Sequence, residues 1–455
     1  MDQDASRTGR APAETIATRV ARLGFDDLSR DVVERVEAAF VDTVGVGLGG
    51  AVTGAGRIAS AVVTRHSGGP GEASLFDGQG AASITDAGFA NGTAAHCLDY
   101  DDVSDAIIGH PSACLVPAIL AVAEVEGATG AEAVTAYVAG FETAAAIAAP
   151  VNPDHYERGW HATSTLGTFG AAAAAASLLD LDPDGTAVAL NLAASLPAGL
   201  KRNFGSMAKP MHAGAAVRSG LTAALLAADG FGAAPDAIGG PAGFMDLYGG
   251  EPTDGADVPE PGTGEAILDP GLDEKKYPCC YFSHTAIEAA RDIAGELGDV
   301  AAVESVRVTA SGGAGDALIH PDPGDPFEAR FSMEHVVAHA LAHGDVGPPA
   351  FEPDRLADPD VAALRDRVTF EVDGDLPYES YASTVSVRTA DGSERTERYD
   401  RPPGSSQNPL TTAERRAKFE DVASAVLGSA EVDQLYDGLS SLSEAPAVAD
   451  VLVYR

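Results

Sequence analysis

Lysine is nearly missing from this sequence: five occur in 455 residues, at positions 201, 209, 275, 276 and 418. With 68 acidic against 29 basic side chains the formal net charge is -39, a balance that repels nucleic acid and anionic membranes and excludes both as ordinary partners. The acid is spread along the whole chain rather than gathered in a tail. That pattern reads as a cytosolic protein adapted to high salt, halophilic in the sense that counterions screen its self-repulsion. Cysteine is scarce as well. Cys97, Cys114, Cys279 and Cys280 show no CxxC spacing, and two adjacent thiols suit neither a zinc site nor an iron–sulfur cluster. Reduced, buried thiols are the expectation. No apolar run is long and charge-free enough for a membrane span, and the opening MDQDASRTGRAPAETIATRV carries charge throughout. Neither a signal peptide nor a membrane anchor is expected, and the chain reads as cytoplasmic.

What is present is small and apolar. Hydrophobic residues make up 45 % of the chain, enough for a large core and for two domains at this length. From Ala13 to about Gly230 apolar positions recur at spacings of three and four between Gly, Pro and Asp clusters, which predicts successive helices over Asp31–Gly47, Pro111–Glu126, Ala131–Ala149 and Asp182–Leu196. Alanine-rich faces such as AAAAAASLLDL permit close helix approach. A linker rich in Gly, Pro and acid spans Gly249–Pro270. Beyond it SVRVTA, VTFEV and STVSVR alternate as strands do, the last leading through a turn at Asp391–Gly392 into ERTERYD, with a helix over Phe331–Ala342 between them. After RPPGSSQNP helices return over Thr411–Leu427 and Ala430–Leu442. The expected fold is mainly α: a large all-helical domain to which the last segment packs back (residues 1–266 and 406–455) plus a smaller α+β domain (residues 267–405).

Scarcity makes each lysine informative. Four of the five fall in LKRNFGSMAKPMH and DEKKYPCCYFSH, each with a histidine, and a chain this acidic can hold an anionic substrate only in a locally basic pocket. Lys209 and Lys275 therefore read as pocket cations. The stretch HCLDYDDVSDAIIGHPS places Asp99, Asp101 and Asp102 at a helix end and His110 before Pro111. Such a histidine can exchange protons under carboxylate control, while an Asp run alone is ordinarily a solvated cap. In HYERGWHATSTLG the only Trp precedes His161 at a helix entrance. In MEHVVAHALAH, His335, His339 and His343 share a helical face, but the glutamate precedes the first histidine and the HExxH zinc pattern is not met. That stretch reads as a helix face.

Seven segments in order resemble the MmgE/PrpD family, which includes 2-methylcitrate dehydratase, cis-aconitate decarboxylase and iminodisuccinate epimerase. They are NGTAAHCLDYDD, GHPSACLVPAILAVAE, GWHATSTLGTFGAAAAAA, GSMAKPMHAGAAVRSG, KKYPCCYFSHTAIEAA, DPFEARFSMEHVVAHAL and NPLTTAERRAKF. The resemblance runs from Ala13 to the chain end. It implies a large all-helical domain built from both chain ends with the smaller α+β domain as a lid, a homodimer, a cleft between the domains, and no metal or organic cofactor. By motif position it implies Asp99, His110, His161, Lys209 and Lys275 as catalytic residues, with His212, Lys209, Lys275 and Cys280 contacting a small-molecule carboxylate. Val103 stands where relatives often carry a hydroxyl residue, and Cys280 stands where a decarboxylase carries a further histidine. No lid tyrosine can be assigned. These departures argue against decarboxylation, and the most common activity that the resemblance implies, a lyase of the 2-methylcitrate dehydratase kind in propionate metabolism, is the expectation, with decarboxylation or epimerisation in the same pocket as the alternatives. Proton removal beside a carboxylate needs a base, an acid and cations to receive the developing charge. His110 and His161 supply the first two in an order the sequence leaves open, and Lys209 and Lys275 supply the third. A non-catalytic carboxylate- or metal-binding protein is the alternative of another class.

Overall fold

A computed structural model describes residues 11–66, 71–250, 258–297 and 300–454. Residues 1–10, part of the signal-peptide reading, and 251–257, part of the predicted linker, lie outside them. Counting helices of seven residues or more, the chain forms α1 (Pro12–Val20), α2 (Arg30–Ala51), α3 (Gly54–His66), α4 (Ile84–Ala95), α5 (Ser112–Glu126), α6 (Gly130–Ala148), α7 (Ala162–Leu178), α8 (Pro183–Ala193) and α9 (Ala208–Ala228). After α10 (His284–Glu296), α11 (Met333–His343) and α12 (Pro359–Arg365), the chain ends in α13 (Thr412–Ala423) and α14 (Ser429–Leu439). The fold is mainly α, as the periodicity predicts.

Helix starts coincide with side-chain caps. Ser29 accepts from the Val32 amide, Asp182 from the Gly185 amide, and Thr129–Glu132 and Thr411–Glu414 form reciprocal capping boxes. The ends of α5 and α11 fall at Gly127 and Gly344, both left-handed. Small residues set the helix spacing. A Cβ on Gly214 of α9 would lie 2.3 Å from the Phe89 carbonyl of α4, and one on Gly220 would lie 2.7 Å from the Thr168 carbonyl of α7. Only glycine lets α9 lie against both helices, which brings the residues at its N-terminal end onto the site described below.

Among the described residues the two largest apolar clusters lie on the helical side and the sheet side. The first joins α1, α2 and α5–α8 to Phe419, Leu435, Leu439 and Leu452 of the C-terminal segment, so both chain ends share one helical core. The second gathers Ile287 and Ile293 of α10, Val336 and Leu341 of α11, and the inner faces of the sheet at Val306, Val308, Val385 and Val387. Ile267 and Leu272 pack in the first cluster and Phe204 in the second, so side chains cross between the two layers. The sheet order is β4 (Val368–Val372), β3 (Val303–Ala310), β5 (Ser383–Thr389), β6 (Glu394–Tyr399), with β3/β4 parallel and the other pairs antiparallel. A two-stranded ribbon, β1 (Ala73–Ser74) with β2 (Ala81–Ala82), lies on the helical side. The β5–β6 turn is the predicted one: Gly392 has φ +83° and the Asp391 carboxylate accepts from the Ser393 amide at 3.0 Å. No single helix among the described residues is long and apolar enough to cross a membrane.

Candidate active site

The segment between α4 and α5 carries the centre of the site. Asp99 has φ +52°, a left-handed conformation costing a non-glycine residue roughly 1–2 kcal/mol, and it lies where three elements converge. Lys209, in the first turn of α9, forms a short ion pair with Asp99 Oδ1. Lys275 Nζ lies 3.1 Å from Asp99 Oδ2 and donates to the Asp99 carbonyl at 2.9 Å. All three are buried, at 3 %, 3 % and 1 % exposure for Asp99, Lys209 and Lys275. Burial opposes ionisation of Asp99, but the two ammonium groups outweigh it and hold the carboxyl well below its ordinary range. Burial likewise works against charged Lys275, and Asp99 with Asp101 outweighs it, raising the amine. An ammonium group has three donors, so Asp99 leaves both lysines with N–H groups to spare for a second carboxylate.

The other acids of the run correct the solvated-cap expectation: Asp101 and Asp102 are fully buried at 0 % exposure. Asp101 Oδ2 is 2.8 Å from His96 Nδ1 and 3.4 Å from His110 Nδ1, the second an ion-pair distance without hydrogen-bond alignment. Burial alone would raise this carboxyl; His96 and His110 outweigh it and hold it well below the ordinary range. Asp102 is different. Desolvation raises it well above the usual carboxylate value, and it binds the Ser112 amide at 3.2 Å and the Ser112 hydroxyl, which lies 2.6 Å from the Tyr137 hydroxyl. It fastens the loop to the start of α5.

Four imidazoles surround these acids. The His96 ring is 4.6 Å from His110 and 5.6 Å from His161, the latter stacked. His161 precedes α7, and its Nδ1 lies 3.0 Å from His212 Nδ1. Burial lowers all four, His96 to about 3 and His212 to about 4, His161 well below its ordinary value, and His110 in the same direction. Each is a neutral base at neutral pH.

A cavity of about 350 Å3 opens between the helical side and the sheet side, lined by Asp99, His110, His161, Lys209, Lys275 and Cys280 and walled by Val103, Ile108, Phe204 and Phe331, within the roughly 300–1,000 Å3 usual for small-molecule sites. Six of the seven predicted residues meet here. The seventh, His212, does not line the cavity: it lies behind His161 on α9, facing a second cavity. The Cys280 thiol is pushed up to about 11 by burial, so it contributes a neutral group. Only one lysine of each predicted pair turns inward, because Lys276 pairs with Glu288 at 3.0 Å and Lys201 sits 3.7 Å over the Tyr156 ring.

Sequence reasoning missed His96, the bridging role of Asp101, and the tyrosines. Tyr281, Tyr378 and Tyr381 all line the cavity, their hydroxyls donating to Asp273 at 3.0 Å, Asp316 at 2.6 Å and Asp105 at 2.7 Å. They come from the sheet side. His335, His339 and His343 turn to three separate acceptors, the Ala350 and Asp345 carbonyls and Asp358, and so form a helix face as expected. His96, Asp99 and His110 do bring ligand atoms within 4.8 Å of one another, but the two ammonium groups on Asp99 repel a cation there.

Family models of the MmgE/PrpD N-terminal domain and C-terminal domain match residues 14–255 and 277–441. The chain belongs to the MmgE/PrpD family. Relatives include the cis-aconitate decarboxylase of Homo sapiens, 28 % identical over 95 % of this chain and 92 % of that protein. The cis-aconitate decarboxylase of Aspergillus terreus is 26 % identical over 95 % and 94 %, and the cis-aconitate decarboxylase-like protein oryM of Aspergillus oryzae is 26 % identical over 99 % and 98 %. For this MmgE/PrpD protein, both matched regions supply the cavity: Asp99, His110, His161 and Lys209 fall in the first, Cys280, Tyr281 and Tyr381 in the second, and Lys275 in the short interval between them.

Proposed function

We propose that the protein is a lyase acting on a small di- or tricarboxylate, by proton transfer at the carbon beside a carboxylate. The observation that carries this reading is the pair of buried ammonium groups sharing Asp99 on the wall of a cavity that also holds His110 and His161. A substrate carboxylate takes the spare lysine donors, which receive the charge that develops on it as the proton leaves.

Two histidines with separate partners favour elimination of water. His161, neutral and with its Nε2 free of any protein partner, is the base; His110, the other imidazole on the cavity wall, is assigned as the acid, with Asp101 3.4 Å away partly opposing the burial that lowers it. Loss of a hydroxyl needs both groups, whereas decarboxylation needs only one proton delivered to carbon. Cys280 on the wall stands where the resemblance expects a further histidine in a decarboxylase, which weighs against that reaction. A second reading, decarboxylation of cis-aconitate, is supported by the names of the relatives. Incubation in molar salt with 2-methylcitrate, citrate, cis-aconitate and iminodisuccinate, followed by NMR, separates water loss, carbon dioxide release and inversion. Water loss from 2-methylcitrate is expected; no product from any of the four acids overturns the reading.

A further inference from the structure

Each elimination leaves a proton on the base while the substrate fills the cavity, so the base needs a path that does not pass through the occupied site. A second cavity, of about 380 Å3, lies on the far side of His161. His212 lines it, with Ser164, Asn203, Ala215 and Ser219, and its rim includes the exposed side chains Leu196, Leu200 and Met211. The two cavities are separated by two imidazoles in contact: His161 faces the first and His212 the second, with their Nδ1 atoms 3.0 Å apart. A hydrogen bond between two Nδ1 atoms requires one ring protonated at Nδ1 and the other at Nε2. His161 Nε2 is buried without a protein partner, and His212 has no other side-chain hydrogen bond among the described residues. Both rings are neutral, burial being the first cause in each case.

We propose that the His161–His212 pair conducts protons between the buried cavity and the second cavity, so that His212 discharges the base while the first cavity is occupied and returns a proton to it after product release. The inference rests on the reading of His161 as the base. The protons balance as follows. His161 begins protonated at Nδ1 and His212 at Nε2. The substrate proton arrives on His161 Nε2, the bridging proton passes from His161 Nδ1 to His212 Nδ1, and the His212 Nε2 proton leaves to water in the second cavity. One proton enters and one departs, and both rings end neutral in the opposite tautomers. The starting tautomers return after product release: His161 Nε2 gives its proton back to the first cavity, where the acid is reprotonated, the bridging proton returns from His212 Nδ1 to His161 Nδ1, and His212 Nε2 takes a proton from water in the second cavity. His212 does not line the first cavity and is a positioning and relay residue.

The test combines turnover with a measurement independent of it. His212→Gln keeps a hydrogen-bonding partner for His161 but cannot pass a proton through. It is expected to lower kcat by about tenfold or more, within the range of general acid–base effects, with KM nearly unchanged and a larger solvent isotope effect. His212→Gly, which opens the relay position to the second cavity, is expected to regain activity with added imidazole. In protein labelled with 15N-histidine, plugging the second cavity with Ala215→Phe or Ser219→Phe is expected to slow exchange of the bridging proton with water. Turnover unchanged in His212→Gln, or exchange unchanged in both plugged variants, overturns the relay. Absence of turnover in the unmodified protein on every acid overturns the proposed function instead, and the exchange rates still decide the relay.

Discussion

Lys418 of α13 donates from Nζ to the backbone carbonyl of Lys275 at 2.8 Å. The same ammonium donates to the Tyr100 carbonyl at 2.8 Å and pairs with Asp42 of α2 at 2.6 Å. One side chain from the C-terminal segment thus ties together the backbone beside both Asp99 and Lys275. The ion pair is buried, with Lys418 7 % and Asp42 3 % exposed. Removing one partner leaves the other charge stranded, and Lys418→Met should destabilise the fold by about 3–5 kcal/mol. Adding Asp42→Asn to it should recover part of that loss. Denaturant midpoints of the two single variants and the double variant measure the coupling; a loss below about 1 kcal/mol in Lys418→Met contradicts the bracing role.

The inward and outward lysines should separate in kinetics. Lys209→Met or Lys275→Met removes a donor aimed at developing charge, and loss of such a group costs about 10²–10³ in kcat. Lys201 and Lys276, set over Tyr156 and against Glu288, should tolerate the same change within about twofold, the surface level expected for groups outside the chemistry. Equal effects in all four variants would make the losses a matter of net charge rather than position.

Scarcity is why two of these lysines were legible in the sequence. In a chain with five lysines, Lys209 and Lys275 stand out, and their motifs place them together without any coordinates. Lys418 does not stand out, because it lies outside the two segments that pair lysine with histidine, and only tertiary packing shows that its Nζ is enclosed. Helix positions were legible for a local reason, since their caps are neighbours in sequence. The burial of Asp101 was not: DYDD at a helix end has the composition of a solvated cap, and nothing local shows that Lys418 of α13, 318 residues away, covers the neighbouring Tyr100 carbonyl or that His96 and His110 close on the Asp101 carboxylate. The tyrosines were hidden similarly. Tyr281 and Tyr381 pack edge to face at 4.8 Å, yet nothing in either segment points to the other.

Acid should unfold the protein through its histidines before its carboxylates. The folded-state values of His96 and His212 fall to about 3 and about 4, below the ordinary 6.5, so between those values and 6.5 the unfolded chain binds more protons and stability rises with pH. Their contribution is complete above pH 6.5 and is lost as pH falls toward the folded values, by about 1.4 kcal/mol per pH unit for each such group. His96, fully buried, gives the sharper test. Denaturant midpoints measured from pH 7 to pH 5 should fall, and His96→Gln should reduce the slope by about one proton's worth. A flat profile over that window would mean that these rings are solvated or already charged in the folded state.

Salt should act on the surface and leave the ion pairs of the site intact. At a formal charge of -39 the compact state works against its own repulsion, and exposed charges are screened with a Debye length of about 10 Å at 0.1 M and about 3 Å at 1 M. The Asp99 ion pairs with Lys209 and Lys275 are buried and lie beyond that screening. Raising potassium chloride from 0.1 M to 2 M should therefore raise the thermal midpoint by several degrees, most steeply at the low end where screening changes fastest. Activity measured on protein that remains folded should change far less over the same range. A thermal midpoint independent of salt would show that repulsion among the surface carboxylates does not limit the stability of the fold. A steep fall in kcat on folded protein would show that the lysine cluster is open to bulk ions.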